Sequence, residues 1–224
     1  MKLGDSEVHI WQVNLDEVQL HLLSADEQVR ADRFKFEQHR NRFVAGRSFL
    51  RSLLSQYLQT DPLSLTFEYS PHGKPTLTQS RIQFNLAHSQ HLALYAVTYD
   101  RAVGIDLEAI RPVEDLESLV QRFFLPSEYR AIQADHALFF QYWTCKEAFL
   151  KAIGTGLSKL KELEIENAQL KVIPAEARSQ NWHLQPLAIH DDFAAAIVIE
   201  QNCPSLDLQS FTPKNFPKSL PHPE

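Results

Sequence analysis

One order of elements occurs twice along the chain, and that repetition restricts the fold more than any other feature. In the first half, residues 8–15 alternate as a strand does, residues 24–30 open a helix behind Ser24 as N-cap, and residues 36–58 carry apolar side chains at helical spacing. Strand-like stretches follow at 63–69, 84–87 and 92–99, separated by the turn signals Pro71-His72-Gly73-Lys74-Pro75 and Ser89-Gln90. The second half repeats the order with a strand at 103–108, helices at 115–124 and 127–134, and a long helix at 137–153 stopped by Gly154-Thr155-Gly156. Strands are again expected at 163–173, 182–189 and 193–199.

The two long helices also share a local pattern, Arg47-Ser48-Phe49-Leu50-Arg51 against Glu147-Ala148-Phe149-Leu150-Lys151. Five residues do not establish a duplication. Together with the repeated order they imply an α+β fold of two similar, pseudosymmetric halves, each a small, mainly antiparallel sheet packed against a long helix. The halves are expected at 1–102 and 103–200, with a site in the cleft between them. Residues 201–224 are proline-rich and are expected to form a flexible tail.

A chain of 224 residues can bury the cores such halves need. Hydrophobic residues at 44% and charged ones at 22% exclude wholesale disorder, and no apolar run reaches the roughly 18 residues of a membrane helix. Residues 1–7 lack the apolar core of a secretory signal, so the expected location is the cytoplasm, without a membrane partner. Cys145 and Cys203 are too few for a disulfide framework or a cysteine zinc site, which leaves oxygen or imidazole ligands for any metal. The net charge of −6 argues against broad nucleic-acid binding. Against it stands a basic segment of Arg30, Arg33, Lys35, Arg40, Arg42, Arg47 and Arg51, opposed only by Asp32 and Glu37. Such a segment either holds a small polyanion or is a solvated helix face, and its composition leaves both open.

In Gly104-Ile105-Asp106-Leu107-Glu108 the two-residue period puts Asp106 and Glu108 on one strand face. Adjacent carboxylates repel unless a cation or a shared proton compensates, although an exposed strand face is the simpler reading of Asp-x-Glu alone. Trp143, Glu147 and Lys151 follow one another at i, i+4 and so form one stripe, which also reads as a surface ion pair beside a core tryptophan. Gly154-Thr155-Gly156 reads as a helix stop or a phosphate-contacting loop, and Gly73-Lys74-Pro75 as a turn or the edge of a nucleotide site. His88 and Ser89 end a strand-like stretch, where they would point into a loop; a satisfied structural histidine is the alternative.

Taken in order, Gly73-Lys74-Pro75, Phe84-Asn85-Leu86-Ala87-His88-Ser89, Gly104-Ile105-Asp106-Leu107-Glu108, Phe123-Phe124 and residues 143–151, closed by Gly154-Thr155-Gly156, closely resemble the 4′-phosphopantetheinyl transferases of the surfactin-synthetase-activating type. The resemblance spans residues 8–200. It implies Mg²⁺-dependent transfer of 4′-phosphopantetheine from coenzyme A to a serine of an acyl or peptidyl carrier protein, releasing adenosine 3′,5′-bisphosphate. It also implies a monomer with no nucleic-acid partner. By the same resemblance Asp106, Glu108 and Glu147 would ligate Mg²⁺, with Mn²⁺ as a substitute, an oxygen-only set suited to a hard cation. Glu147 would also serve as base toward the carrier serine, and Lys151 would stabilise the pyrophosphate. Lys74 and Pro75 would line the adenine, while His88, Ser89, Arg42 and, by a looser match, Arg30 would meet the 3′-phosphate. One departure is Ala87, where the family commonly has serine. Two other readings use the same residues: a metal-dependent phosphohydrolase with water as nucleophile, and a silent binding module, against which the retention of all three acids and Lys151 speaks. The sequence does not name the carrier.

Overall fold

The structure, a computed structural model, describes residues 1–136, 138–200 and 205–210. The chain runs β1 (Glu7–Asn14), α1 (Ala25–Ala31), α2 (Glu37–Leu58), β2 (Phe67–Tyr69), β3 (Pro75–Leu77), β4 (Ile82–Ser89) and β5 (Leu92–Tyr99). It continues through β6 (Val103–Ala109), α3 (Leu116–Phe123), α4 (Pro126–Ala134), α5 (Leu138–Ile153), β7 (Glu164–Glu166), β8 (Gln169–Val172), β9 (Trp182–Pro186), β10 (Phe193–Glu200) and β11 (Ser205–Ser210). One sheet has the order β11-β1-β5-β4 and another the order β6-β10-β9, with β2-β3 and β7-β8 as separate hairpins. The described pairings are antiparallel except β1 with β11. This is the expected α+β class of small, mainly antiparallel sheets and long helices. Among the described residues no helix is long and apolar enough to cross a membrane.

Strand alternation and helix periodicity stack these elements in layers. Phe49, Leu50, Leu53 and Leu54 of α2 bury themselves against Trp11, Val13, Tyr95 and Val97 on one face of the first sheet. Its opposite face presents Val8, Ile10, Leu94 and Ala96 to Val103, Ile105 and Leu107 of β6 and to Ile197 and Ile199 of β10. On the outer side of the second sheet, Ala148 and Phe149 of α5 pack with Ala196 and Val198. Each fully buried Leu or Phe side chain contributes about 1.5–3 kcal/mol before entropy is counted. Gly104 sets the distance between β6 and α5: a Cβ there would lie 2.0 Å from the Ala148 carbonyl oxygen and 2.3 Å from the Ala152 nitrogen.

Three expectations need correction. Residues 163–173 are not one strand but the β7-β8 hairpin, because Asn167 (φ 50°) and Ala168 (φ 57°) take the two left-handed positions of a tight turn. Within 63–69, Pro62 opens a 3₁₀ turn over Pro62–Ser64, and only Phe67–Tyr69 is strand. The expected flexible tail includes a strand, β11, parallel to β1; residues 201–204 and 211–224 lie outside the described residues.

Candidate active site

With Val103, Ile105 and Leu107 committed to the core between the sheets, β6 must turn Gly104, Asp106 and Glu108 toward α5. Glu147 and Lys151 stand one turn apart on that helix. The Lys151 ammonium donates to Asp106 Oδ1 at 2.6 Å and to the Ile105 carbonyl at 3.3 Å. Two side chains of β4 hold β6 in place: Asn85 Oδ1 accepts the Ile105 N–H at 2.9 Å, and Ser89 Oγ accepts the Ala109 N–H at 3.0 Å while donating to Glu108 Oε2 at 3.3 Å.

The carboxylates sense one another. Burial, then the charge of Asp106 and more weakly that of Glu108, push the Glu147 carboxyl up to about 7 against the opposing pull of Lys151. Glu108 is likewise raised, first by burial and then by Asp106, with Ser89, Arg111 and Lys151 opposing. Asp106 is 5% exposed, and its Oδ2 is buried without a hydrogen-bond partner. An orphaned carboxylate oxygen beside two acids that resist ionisation is the donor chemistry a hard dication satisfies.

Among the described residues no group of three His, Cys, Asp or Glu side chains is preformed to hold a metal ion. Lys151 takes one oxygen of Asp106, and Ser89 takes one oxygen of Glu108.

Lys151 also lines a cleft of about 660 Å³, together with Arg30, Arg42, Arg47, Lys74, Pro75 and His88. None of the three acids lines this cleft, which meets them through Lys151 alone; a second concavity of about 600 Å³, lined among others by Asp16, His21, Gln38 and Arg40, includes neither the acids nor Lys151. The basic segment is therefore divided. Arg42 faces the cleft while paired with Asp16 through two hydrogen bonds of 2.7 Å, which hold the Asp16 carboxyl below its ordinary range. Arg30 lies over the Phe43 ring at 5.1 Å. Arg47 and Arg51 are buried on Glu27, and Arg47 donates to the Tyr69 hydroxyl at 2.9 Å. Arg40 pairs with Asp32 at the surface.

His88 sits at the cleft, its imidazole pushed below the ordinary value first by desolvation and then by Lys151. Ser89 is not in a loop but is a buried tie between strands, so the expected contact with a phosphate does not match its position. Lys74 likewise departs from expectation, since its ammonium is spent on the carbonyls of Val103 at 3.0 Å, Lys151 at 2.7 Å and Ala152 at 3.3 Å. Gly154-Thr155-Gly156 is a helix stop, with Gly154 at φ 73° and the Thr155 N–H closing on the Leu150 carbonyl at 3.0 Å. Trp143 stacks on Phe139 and meets Phe123 and Phe124. Sequence reasoning missed Glu27 and Asn85. Ser24-x-x-Glu27 carried a capping-box signal, and the Glu27 carboxylate accepts the Ser24 N–H at 3.0 Å; Asn85 stood within the motif at residues 84–89, but nothing local marked its tie to β6.

Comparison with known proteins adds an independent finding. A family model described as the 4′-phosphopantetheinyl transferase superfamily matches residues 102–198, and one described as 4′-phosphopantetheinyl transferase, N-terminal, matches residues 10–99. The 4′-phosphopantetheinyl transferase HetI of Nostoc sp. is 46% identical over 219 residues, covering 89% of this chain and 90% of that protein. The 4′-phosphopantetheinyl transferase Sfp of Bacillus subtilis is 29% identical over 147 residues, covering 62% of this chain and 63% of that protein. Among solved structures, the acyl carrier protein synthase AcpS of Mycobacterium tuberculosis matches with a TM-score of 0.34 at 24% identity, covering 45% of this chain and 96% of that one.

Proposed function

Because the chain belongs to the 4′-phosphopantetheinyl transferase superfamily, we propose that it transfers 4′-phosphopantetheine from coenzyme A to a serine of an acyl or peptidyl carrier protein. The observation that carries this reading is the position of Lys151, which belongs to the cleft wall and to the Asp106 carboxylate at once. A pyrophosphate lying along the cleft would thus end beside Asp106, Glu108 and Glu147.

In this reading Arg42, Arg30 and His88 meet the 3′-phosphate of coenzyme A, and the Lys74 stem with Pro75 flanks the adenine. Lys151 donates to the pyrophosphate, and Glu147, its carboxyl near 7, accepts the proton of the carrier serine. The serine oxygen forms a bond to the phosphorus carrying the pantetheine. The bond from that phosphorus to the bridging oxygen breaks, and adenosine 3′,5′-bisphosphate leaves. Asp106, Glu108 and Glu147 would hold Mg²⁺, which when bound supplies charge neutralisation at the pyrophosphate.

Following coenzyme A by chromatography tests the reading against a phosphohydrolase using the same acids. Coenzyme A is expected to stay intact with enzyme and Mg²⁺ until apo carrier is added, and then to give adenosine 3′,5′-bisphosphate. Breakdown without carrier would overturn it.

A further inference from the structure

The Lys74 ammonium does not point into open cleft. It crosses from the β2-β3 hairpin to the far end of α5, over a sequence separation of 77 residues, and donates to the Lys151 carbonyl at 2.7 Å. The Ala152 carbonyl at 3.3 Å and the Val103 carbonyl of β6 at 3.0 Å complete its set of acceptors. The last carbonyls of a helix have no intrahelical donors and carry the negative end of its dipole, so a cation there satisfies both needs. In α5 the accounting is specific: the Leu150 carbonyl takes the Thr155 N–H, while those of Lys151 and Ala152 take Lys74.

We infer that Lys74 is a positioning residue for Lys151, a clamp that fixes the last turn of α5 against β6 so that the Lys151 side chain reaches the Asp106 end of the cleft. Two further observations agree. Gly104, next to the Val103 acceptor, admits no Cβ between β6 and the backbone at Ala148 and Ala152, so the interface Lys74 closes is already in backbone contact. Lys151 donates back to β6 at Ile105 and Asp106 with its own ammonium. The same residue is thus held at its carbonyl by one lysine while its side chain is held by the strand. Burial depresses the Lys74 amine to about 8, which accords with a cation enclosed by protein.

The functional consequence rests on the transfer reading, but the structural one does not, and the test separates them. Wild type, Lys74→Met and Lys74→Arg are compared by hydrogen exchange and by steady-state transfer to an apo carrier. The clamp predicts that Lys74→Met speeds exchange at the amides of the last α5 turn and the Thr155 N–H, while the α2 core stays protected. It also predicts a kcat lowered about tenfold to a hundredfold, a KM for coenzyme A changed less than about threefold, and partial recovery of both protection and kcat in Lys74→Arg. Unchanged exchange at the α5 end, or a raised KM with unchanged kcat, would overturn it and make Lys74 a direct contact of the nucleotide. If wild type shows no transfer, the transfer reading fails while exchange still decides the clamp. If Lys74→Met does not fold, the wild-type protein decides: three carbonyl acceptors predict a slowly exchanging Lys74 ¹⁵Nζ resonance, and a rapidly exchanging one overturns the proposal.

Discussion

Lys151 Nζ lies 2.6 Å from Asp106 Oδ1, on a carboxylate whose other oxygen is buried and unpartnered. The ammonium thereby stands where a dication would draw on the same acid. Lys151→Met is expected to bind Mg²⁺ more tightly than wild type in the absence of coenzyme A, by roughly fivefold, since a partly exposed ion pair is worth about 1 kcal/mol at most. The same variant is expected to slow transfer by about a hundredfold or more, through loss of a positioned charge at the pyrophosphate. Calorimetry with Mg²⁺ alone checks the first expectation; unchanged or weaker affinity would show that the two cations do not compete.

Gly104→Ala is expected to cost about 3 kcal/mol or more, because its methyl must displace the backbone of α5 rather than a flexible side chain. Urea unfolding of the purified variant, or its failure to accumulate in soluble form, reads this out. A loss of only a few tenths of a kcal/mol would contradict the close approach of β6 and α5.

Lys146, immediately before Glu147, is fully buried with its ammonium 2.6 Å from Glu128 Oε2 and 3.0 Å from the Leu160 carbonyl. Glu128 also accepts the N–H groups of Leu125 and Ile165 at 2.8 Å each, so one carboxylate joins α4, α5 and β7. Glu128→Ala leaves a buried cation without its counterion and is expected to cost about 3–5 kcal/mol. The double variant Lys146→Met with Glu128→Gln should lose less than the sum of the two single losses, as members of one network do. Additive losses in denaturant melts would argue against the pair.

Glu147 gives a pH dependence with a definite sign. Its folded carboxyl is near 7 against an ordinary 4.5, so between these values the folded chain holds a proton that the unfolded chain has lost. In protein stripped of divalent ions, this group's contribution to stability is complete below pH 4.5 and declines as pH rises through 7. Comparing melting temperatures of wild type and Glu147→Gln in chelator across that window isolates the effect. The difference should shift against wild type as pH rises, and a flat difference would contradict the crowding of Glu147 by Asp106 and Glu108.

Much of this was legible in the sequence where local periodicity sufficed. The alternation of β6 put Asp106 and Glu108 on one face, and the helical spacing of α5 put Glu147 and Lys151 on another that meets it. What stayed hidden depends on long-range contact. No pattern within Gly73-Lys74-Pro75 discloses that the lysine spends its charge on helix carbonyls in the other part of the chain. Ser89 resembled a loop residue because β4 runs farther than its apolar stretch, and its hydroxyl finds a partner only across the junction with β6. Ala87, where the resembled family commonly carries serine, packs in the apolar core between the sheets. The β7-β8 turn was missed because Ala168 adopts a left-handed conformation that favours glycine or asparagine.

In the transferase reading, the acids around Asp106 and the cleft beside Lys151 form one site. Intact-mass spectrometry of apo carrier proteins incubated with this protein, coenzyme A and Mg²⁺ decides it. At least one carrier in a broad panel is expected to gain a single phosphopantetheine on its serine, and Glu147→Ala protein, folded as judged by its melting curve, to add it at least about a hundredfold more slowly. A folded wild-type protein that modifies no carrier, or a Glu147→Ala protein with full activity, would contradict it.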